Sequence, residues 1–213
     1  MDSSRFVSIL ALIIAALIVW SGIGPFSRDV WIAEITPVIG VFLIWLISMM
    51  KFRLSRTAYV LMSFWLIMHT IGAHYSFERV PFDWGSELLS SWLGDGRNHF
   101  DRVAHFMIGL YSYPIAEIIV RKHWGNVIVA GLFGLFSIMS IAAGYEIIEW
   151  QYAVIEGGDA GVAFLGSQGD IWDAQKDMLA DTLGALSALI IFYLQRPVSA
   201  LLSAVHCAKN KTD

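Results

Sequence analysis

Long apolar stretches alternate with short polar segments along the whole chain. They lie near residues 6–23, 30–50, 57–74, 102–120, 125–148 and 178–195. Each has roughly the 20 residues that a helix needs to cross a hydrocarbon core of about 30 Å. The pattern predicts an all-α, polytopic integral membrane protein with six transmembrane helices, formed as a single membrane domain over residues 1–213.

The longest polar gap follows the third stretch and contains a short amphipathic segment at residues 84–93. Trp84 stands at its start and Trp92 near its end, with polar and apolar residues between them. Tryptophan is enriched where a membrane meets water, and amphipathic helices lie in that plane. We therefore expect an interfacial helix in this long outer loop.

Small residues recur in the last two apolar stretches. The fifth contains Gly131 and Gly134, and the sixth contains Ala180, Gly184 and Ala188 at four-residue spacing. Small residues let helix backbones approach closely inside a bilayer. We expect these two helices to contact each other or the fourth stretch.

Composition narrows the function classes. Of the 213 residues, 57% are hydrophobic and only 15% are charged, which is typical of a membrane chain. The net charge of −4 and the lack of a basic patch argue against nucleic acid as a partner, which leaves the lipid bilayer. The single cysteine, Cys207, cannot form an internal disulfide.

Basic residues indicate the orientation, because they are concentrated in short cytoplasmic loops. They flank one end of the apolar stretches: Arg5, Lys51, Arg53, Arg56, Arg121, Lys122, Arg196, Lys209 and Lys211. This distribution predicts that both termini are cytoplasmic. All Asp and Glu residues except Asp2, Glu117 and Asp213 then fall in the outer half.

Several outer acids lie within the apolar stretches, where a charge costs about 2.5–3.5 kcal/mol and usually marks function. Their spacings of three and four residues put them on shared helix faces. Because the last three helices alternate in direction, all of them lie at a similar depth. The set comprises Asp101 with His105, Glu146 with Glu149, and Asp170, Asp173, Asp177 and Asp181, joined in the same layer by Glu34, His69 and His74.

This layer is open to three interpretations. It could hold a divalent metal, supply a general acid and base, or form structural hydrogen bonds with Arg102 as a counter-ion. The candidate catalytic residues are Asp101, His105, Glu146, Glu149, Asp173 and Asp177. The hypothetical metal ligands are His74, His105 and Asp177, although the spacing matches no strict metal motif.

Other polar residues have simpler interpretations. Asp170 and Asp173 stand where a helix begins, so either could be a cap. His99, His123 and His206 are expected to be ordinary loop residues. Glu117 precedes Arg121 in the inner half, where a salt bridge would explain it.

Four segments carry a family resemblance: residues 68–75 (MHTIGAHY), 100–106 (FDRVAHF), 144–150 (GYEIIEW) and 168–178 (QGDIWDAQKDM). With these motifs the chain resembles the YjdF-like family of bacterial inner-membrane proteins, a domain of unknown function. The resemblance implies a multi-pass protein of the bacterial inner membrane and brings no established activity. A weaker similarity to VanZ-like membrane proteins, in the Asp-basic-x-x-His-Phe helix start and a later acidic helix, points towards envelope lipid or glycopeptide chemistry.

The leading hypothesis is a periplasm-facing pocket of His and carboxylates. It would serve a metal-dependent enzyme or a binding site for an envelope lipid or its headgroup. The alternatives are an ion-coupled transporter and a structural or assembly protein whose polar layer only locks helices together. Transport needs access from both sides, whereas the inner halves here are nearly uniformly apolar. We therefore expect a pocket closed towards the cytoplasm.

Overall fold

The computed structural model describes residues 3–158, 161, 165 and 167–195. The helices of this part are α1 (Ser3–Ser21), α2 (Arg28–Lys51), α3 (Arg56–Tyr75), α4 (Asp83–Leu93), α5 (Phe100–Gly109), α6 (Ser112–Arg121), α7 (Val127–Glu156) and α8 (Asp173–Gln195). The prediction of an all-α chain is confirmed for these residues. The predicted tail positions Arg196, His206, Cys207, Lys209 and Lys211 lie outside the described residues.

Three of the helices begin at polar residues that cap them. Ser27, Ser55 and Asn126 precede α2, α3 and α7, and each side-chain oxygen accepts a hydrogen bond from the backbone N–H three residues later. Such caps satisfy backbone donors that the first helical turn leaves unpaired. The short polar segments of the sequence therefore act as helix start signals.

Four helical segments are long and apolar enough to cross a membrane: Arg28–Lys51, Phe100–Arg121, Val127–Glu156 and Asp173–Gln195. In α1 the apolar part, Arg5–Ser21, is shorter. Helix α3 has 20 residues but is not among these four. The structure supports a membrane protein, while the number of six spans stays a prediction.

The observed helix bounds differ from the predicted stretches. The fourth stretch is divided into α5 and α6, with a break at Leu110 and Tyr111. Pro114 follows in the first turn of α6, where its missing N–H is tolerated. The fifth continues to Glu156, and the sixth begins at Asp173, so Asp173 and Asp177 both belong to α8. The helix predicted in the long loop is present as α4, with Trp84, Leu88 and Trp92 exposed, while its place at the membrane interface stays a prediction.

The bundle is organised around α3 and α8. Helix α3 packs against α1 and α2 on one side and α5 and α6 on the other, while α8 packs against α5, α6 and α7. At Gly184 a Cβ atom would lie 2.0 Å from the carbonyl oxygen of Phe106, and at Gly109 2.2 Å from that of Asp181. The backbones of α5 and α8 are therefore in direct contact. This confirms the predicted contact of the sixth stretch with the fourth.

A structural charge pair lies where α3 begins and α6 ends. Glu117 accepts hydrogen bonds from the backbone N–H of Ser55 at 2.9 Å and its hydroxyl at 2.6 Å, and from Arg121 at 2.8 Å. The salt bridge expected for Glu117 is confirmed. It ties the start of α3 to the end of α6.

Candidate functional site

The contact between α5 and α8 brings acids and an imidazole together near the N-terminal ends of both helices. Asp101 and His105 lie one turn apart on α5, and Asp177 lies opposite on α8. One ligand atom from each of the three residues lies within 4.8 Å of the others. Among the described His, Cys, Asp and Glu residues, these three lie close enough together to bind one metal ion.

His105 is held by a fourth side chain. Its Nδ1 lies 3.1 Å from Oδ2 of Asp181, and its Nε2 lies 3.7 Å from Oδ1 of Asp101. A metal-bound histidine commonly donates its other ring N–H to a carboxylate, which fixes the ring and its tautomer. Asp181 occupies that position relative to His105, which leaves Nε2 directed at the cluster.

Two carboxylate oxygens in or beside the cluster are buried without a hydrogen-bond partner among the described residues: Oδ1 of Asp177, which has the Nε of Arg102 at 3.6 Å, and Oδ1 of Asp181. The residues are 3% and 0% exposed. Such oxygens are rare in folded proteins, because desolvation without a partner is costly. Imidazole and carboxylate are ligands that divalent cations take in proteins, so the donor set of Asp101, His105 and Asp177 suits a metal.

Arg102 supplies the main positive charge beside this cluster. It is 2% exposed and donates hydrogen bonds to Asp170 at 2.6 Å and Asp173 at 3.1 Å. Its Nε lies 3.6 Å from Oδ1 of Asp177. The interpretation of Arg102 as a counter-ion to nearby acids is thus confirmed.

Arg97 and Lys176 extend this ion-pair network towards the outer surface. Arg97 pairs with Asp173, and Lys176 donates to Asp170 at 2.6 Å. Asp170 also accepts a hydrogen bond from the backbone N–H of Trp172, which precedes the helix, so this bond is a turn contact rather than the predicted cap. Hydrogen bonds from Lys176 and Arg102 hold the pKa of Asp170 well below its usual range.

A second polar group joins three helices. Glu34 of α2 is 3% exposed, and its Oε2 lies 3.0 Å from Nε2 of His69 on α3. The same oxygen accepts a hydrogen bond of 2.9 Å from the hydroxyl of Tyr145 on α7. Glu34 therefore connects α2 to both α3 and α7.

A cavity of about 150 Å³ lies between these two polar groups. Its polar lining comes from Glu34, His69, Ser76, Asp101, His105, Tyr145, Glu149 and Asp181. Further from the N-terminal ends of α5 and α8 the lining is apolar, with Val41, Trp65, Ile108 and Ile138. The cavity is thus polar at the end near the cluster and apolar at the opposite end.

The predicted site residues are only partly brought together. Asp101, His105 and Glu149 line the cavity, and Asp177 joins the first two in the cluster. Glu146 is half-buried with an unpaired oxygen and is not part of the lining. Asp173 is instead occupied by Arg97 and Arg102.

His74 lies elsewhere. Its Nδ1 is 3.0 Å from the carbonyl oxygen of Ser21, and its ring centroid is 4.4 Å from that of Trp20. It therefore packs between α3 and α1 and does not join His105 and Asp177, because α1 covers that face of α3. The structure does not support the predicted grouping of these three residues.

Sequence reasoning missed two features. Tyr145 stands one turn before Glu149 on the same face of α7, a spacing that could have indicated it. His99 was expected to be an ordinary loop residue, and this was wrong: it is fully buried, with Nε2 2.8 Å from the carbonyl oxygen of Gly94. Burial lowers the pKa of His99.

These features define a multi-pass α-helical membrane protein with a polar cluster buried between its spans. The family model described as "Predicted membrane protein (DUF2238)" matches residues 6–197, and the chain belongs to this family. The Inner membrane protein YjdF of Escherichia coli (strain K12) is 36% identical over 183 residues, which cover 84% of this chain and 85% of that protein. The YjdF-like resemblance is therefore confirmed. No solved structure matches the chain.

Proposed function

We propose that this protein is a metal-dependent enzyme of the bacterial inner membrane that acts on the headgroup of an envelope lipid from the periplasmic side. The observation that carries the proposal is the cluster of Asp101, His105 and Asp177, with ligand atoms within 4.8 Å of one another. The orientation of His105 by Asp181 and the deep burial of the Asp177 carboxylate support it.

The donor set favours particular ions and leaves room for chemistry. Imidazole with carboxylates suits zinc, manganese or iron. Three protein ligands leave positions open for water and for a substrate oxygen, and a bound metal lowers the pKa of such a water. Glu149, which lines the cavity, and Glu146, on the same face of α7, are the candidate acid–base groups.

The inner-membrane location and the orientation rest on separate observations. The relative from Escherichia coli bears the name inner membrane protein. Basic residues of the described part, such as Arg53, Arg56 and Arg121, lie at the end opposite the cluster, and basic loops are cytoplasmic. With that orientation the cluster lies at the depth of the outer leaflet.

The inner half of the bundle favours an enzyme over an ion-coupled transporter. Leu66, Tyr113 and Phe192 are all less than 2% exposed. The hydroxyl of Tyr113 is engaged by Gln195, and Glu117 is tied to Ser55 and Arg121. A transporter needs a polar route through this region, and these side chains are occupied in packing and pairing.

Metal analysis tests the proposal. Wild-type protein and the control His74→Ala should purify with near-stoichiometric divalent metal, while the double variant His105→Ala, Asp177→Asn should lose it. Asp181→Asn should weaken the metal affinity about 10- to 100-fold, because it removes the carboxylate that orients His105. Equally trivial metal content in all four proteins would refute the metal site and leave a structural role for the cluster.

A further inference from the structure

The cavity fills a gap between α2 and α7. Helix α2 contributes Val30, Glu34, Pro37 and Val41 to the lining, and α7 contributes Ile138, Ile141, Ala142, Tyr145 and Glu149. Among the described residues, α2 packs against α3, and α7 packs against α6 and α8, whereas α2 and α7 make little backbone contact with each other. The two helices therefore form opposite walls of an opening rather than a packed interface.

The opening faces hydrocarbon. Ile141 lines the cavity and is nevertheless 52% exposed. It stands about 21 Å along α7 from the helix start, at 1.5 Å per residue, which is well within the span. On α2 the lining residues Pro37 and Val41 are likewise partly exposed. A polar ligand could not reach this rim, but a lipid chain is already beside it.

We propose that this cavity binds an acyl chain of a membrane lipid, which enters sideways between α2 and α7. The apolar inner lining suits hydrocarbon, and the volume of about 150 Å³ suits part of one chain. An engineered apolar cavity of about 150 Å³ in another protein binds benzene, whereas sites for whole drug-sized ligands take about 300–1,000 Å³. The binding of an acyl chain does not depend on the proposed function. Only the further statement that this lipid is the substrate rests on it, and the lipid headgroup would then lie at the Asp101 end of the cavity.

A hydrogen bond joins α2 and α7 above the opening. The hydroxyl of Tyr145 on α7 donates to Glu34 on α2 at 2.9 Å, and His69 holds Glu34 from α3. Pro37 stands one turn further in and lines the cavity. Because proline has no N–H, the carbonyl of Ala33 lacks its helical hydrogen bond, which makes α2 easier to bend at that point. The Tyr145–Glu34 bond thus acts as a latch beside a weakened turn.

Photo-crosslinking tests the proposal with the full-length protein. The protein is reconstituted in vesicles that contain a phospholipid with a diazirine at the end of one acyl chain, and adducts are mapped by mass spectrometry. Trp65 and Ala142 are 6% and 4% exposed and line the cavity, so adducts on them report an acyl chain inside. Leu43 faces lipid and is the reference, and buried Tyr59, on the same helix as Trp65, is the background.

We expect Trp65 to be labelled well above Tyr59. Ala142→Leu fills the cavity and should lower the labelling of Trp65, measured relative to Leu43, about tenfold, which corresponds to about 1.4 kcal/mol of binding free energy. Val41→Phe fills it from the opposite wall and replaces Ala142→Leu if that variant does not fold. Tyr145→Phe keeps the ring and removes the latch, so the rate of Trp65 labelling should rise several-fold. Labelling of Trp65 at the level of Tyr59 would overturn the acyl-chain site, and an unchanged rate in Tyr145→Phe would overturn the latch.

The two proposals fail in different ways. If the metal proposal is wrong and the acyl-chain site is right, Trp65 is labelled in a wild-type protein that contains no metal. If the acyl-chain site is wrong and the metal proposal is right, Trp65 stays at background in a protein with near-stoichiometric metal. Labelling should also persist in the His105→Ala, Asp177→Asn variant, because neither residue belongs to the apolar wall, and its loss there would count against the acyl-chain site.

Discussion

Replacing Arg102 by leucine should destabilise the fold strongly. The guanidinium is 2% exposed and donates to Asp170 and Asp173 on the α8 side, and to the carbonyl of Leu93 at 3.2 Å. Removing one partner of a buried ion pair leaves charges without compensation in a medium of low polarity. Arg102→Leu would do this to several carboxylates at once.

The ion pairs that remain in Arg102→Leu limit the loss of unfolding free energy. Breaking a buried ion pair typically costs about 3–5 kcal/mol. Asp170 retains Lys176 and Asp173 retains Arg97, so the loss should lie near the lower end, about 3 kcal/mol. Arg102→Lys keeps the charge but cannot reproduce the forked hydrogen bonds, and should cost about half as much.

Equilibrium unfolding in mixed micelles measures these free energies. The control is Arg79→Leu, which removes an exposed arginine that pairs with Glu78 at 3.3 Å and lies over Phe26, and it should cost no more than about 1 kcal/mol. Adding Asp177→Asn to Arg102→Leu should recover part of the loss, since it removes one uncompensated carboxylate. If Arg102→Leu cost no more than Arg79→Leu, the buried network would be energetically equivalent to a surface pair, and the reasoning would be refuted.

Three further predictions concern packing, acid and topology. Gly184→Ala should destabilise by about 1–3 kcal/mol in the same assay, because its Cβ would meet a carbonyl of α5, while Gly144→Ala, with open space around it, should be neutral or stabilising. Because the pKa of Asp170 is lowered by folding, its ionised carboxylate stabilises the fold fully above about pH 3.9, and this stabilisation is lost as the pH falls through its folded-state pKa. The melting temperature of Asp170→Asn should therefore fall less in acid than that of the wild-type protein. Reporter fusions after residues 53 and 123 should be cytoplasmic and one near residue 90 periplasmic, and a cytoplasmic signal near 90 would move the site to the other side of the membrane.

Local spacing predicted the parts of the site that lie on one helix. Asp101 and His105 share a face because they are one turn apart, and the small residues around Gly184 correctly indicated a close helix contact. The two histidines of α3 show the limit. His69 and His74 are five residues apart and point about 140° away from each other, so only one can face the cavity. Which of the two faces the cavity depends on where α1 packs against α3, and the spacing of residues in the sequence does not indicate that contact.

Two other features depended on contacts distant in sequence. The spacing of Tyr145 and Glu149 places both on one face of α7, but the contact of Tyr145 with Glu34 depends on how α7 approaches α2. Helix α8 begins five residues before the predicted apolar stretch, at Asp173. Hydropathy placed this charged turn outside the span, whereas Arg97 and Arg102 compensate its acids and allow it to pack as helix.

The division of the charged cluster between α5 and α8 has a consequence for biosynthesis. The chain enters the membrane from its N-terminus, so Asp101, Arg102 and His105 arrive before their partners on α8 have been synthesised. Until then these side chains lack their counter-charges, and placing them in lipid is unfavourable. We therefore expect α5 to remain near water or near the insertion machinery until α8 is present. Insertion of α8 would complete the bundle in one late step. A nascent chain released before that step would carry an uncompensated polar helix, a mark by which membrane proteases could distinguish it from the finished protein.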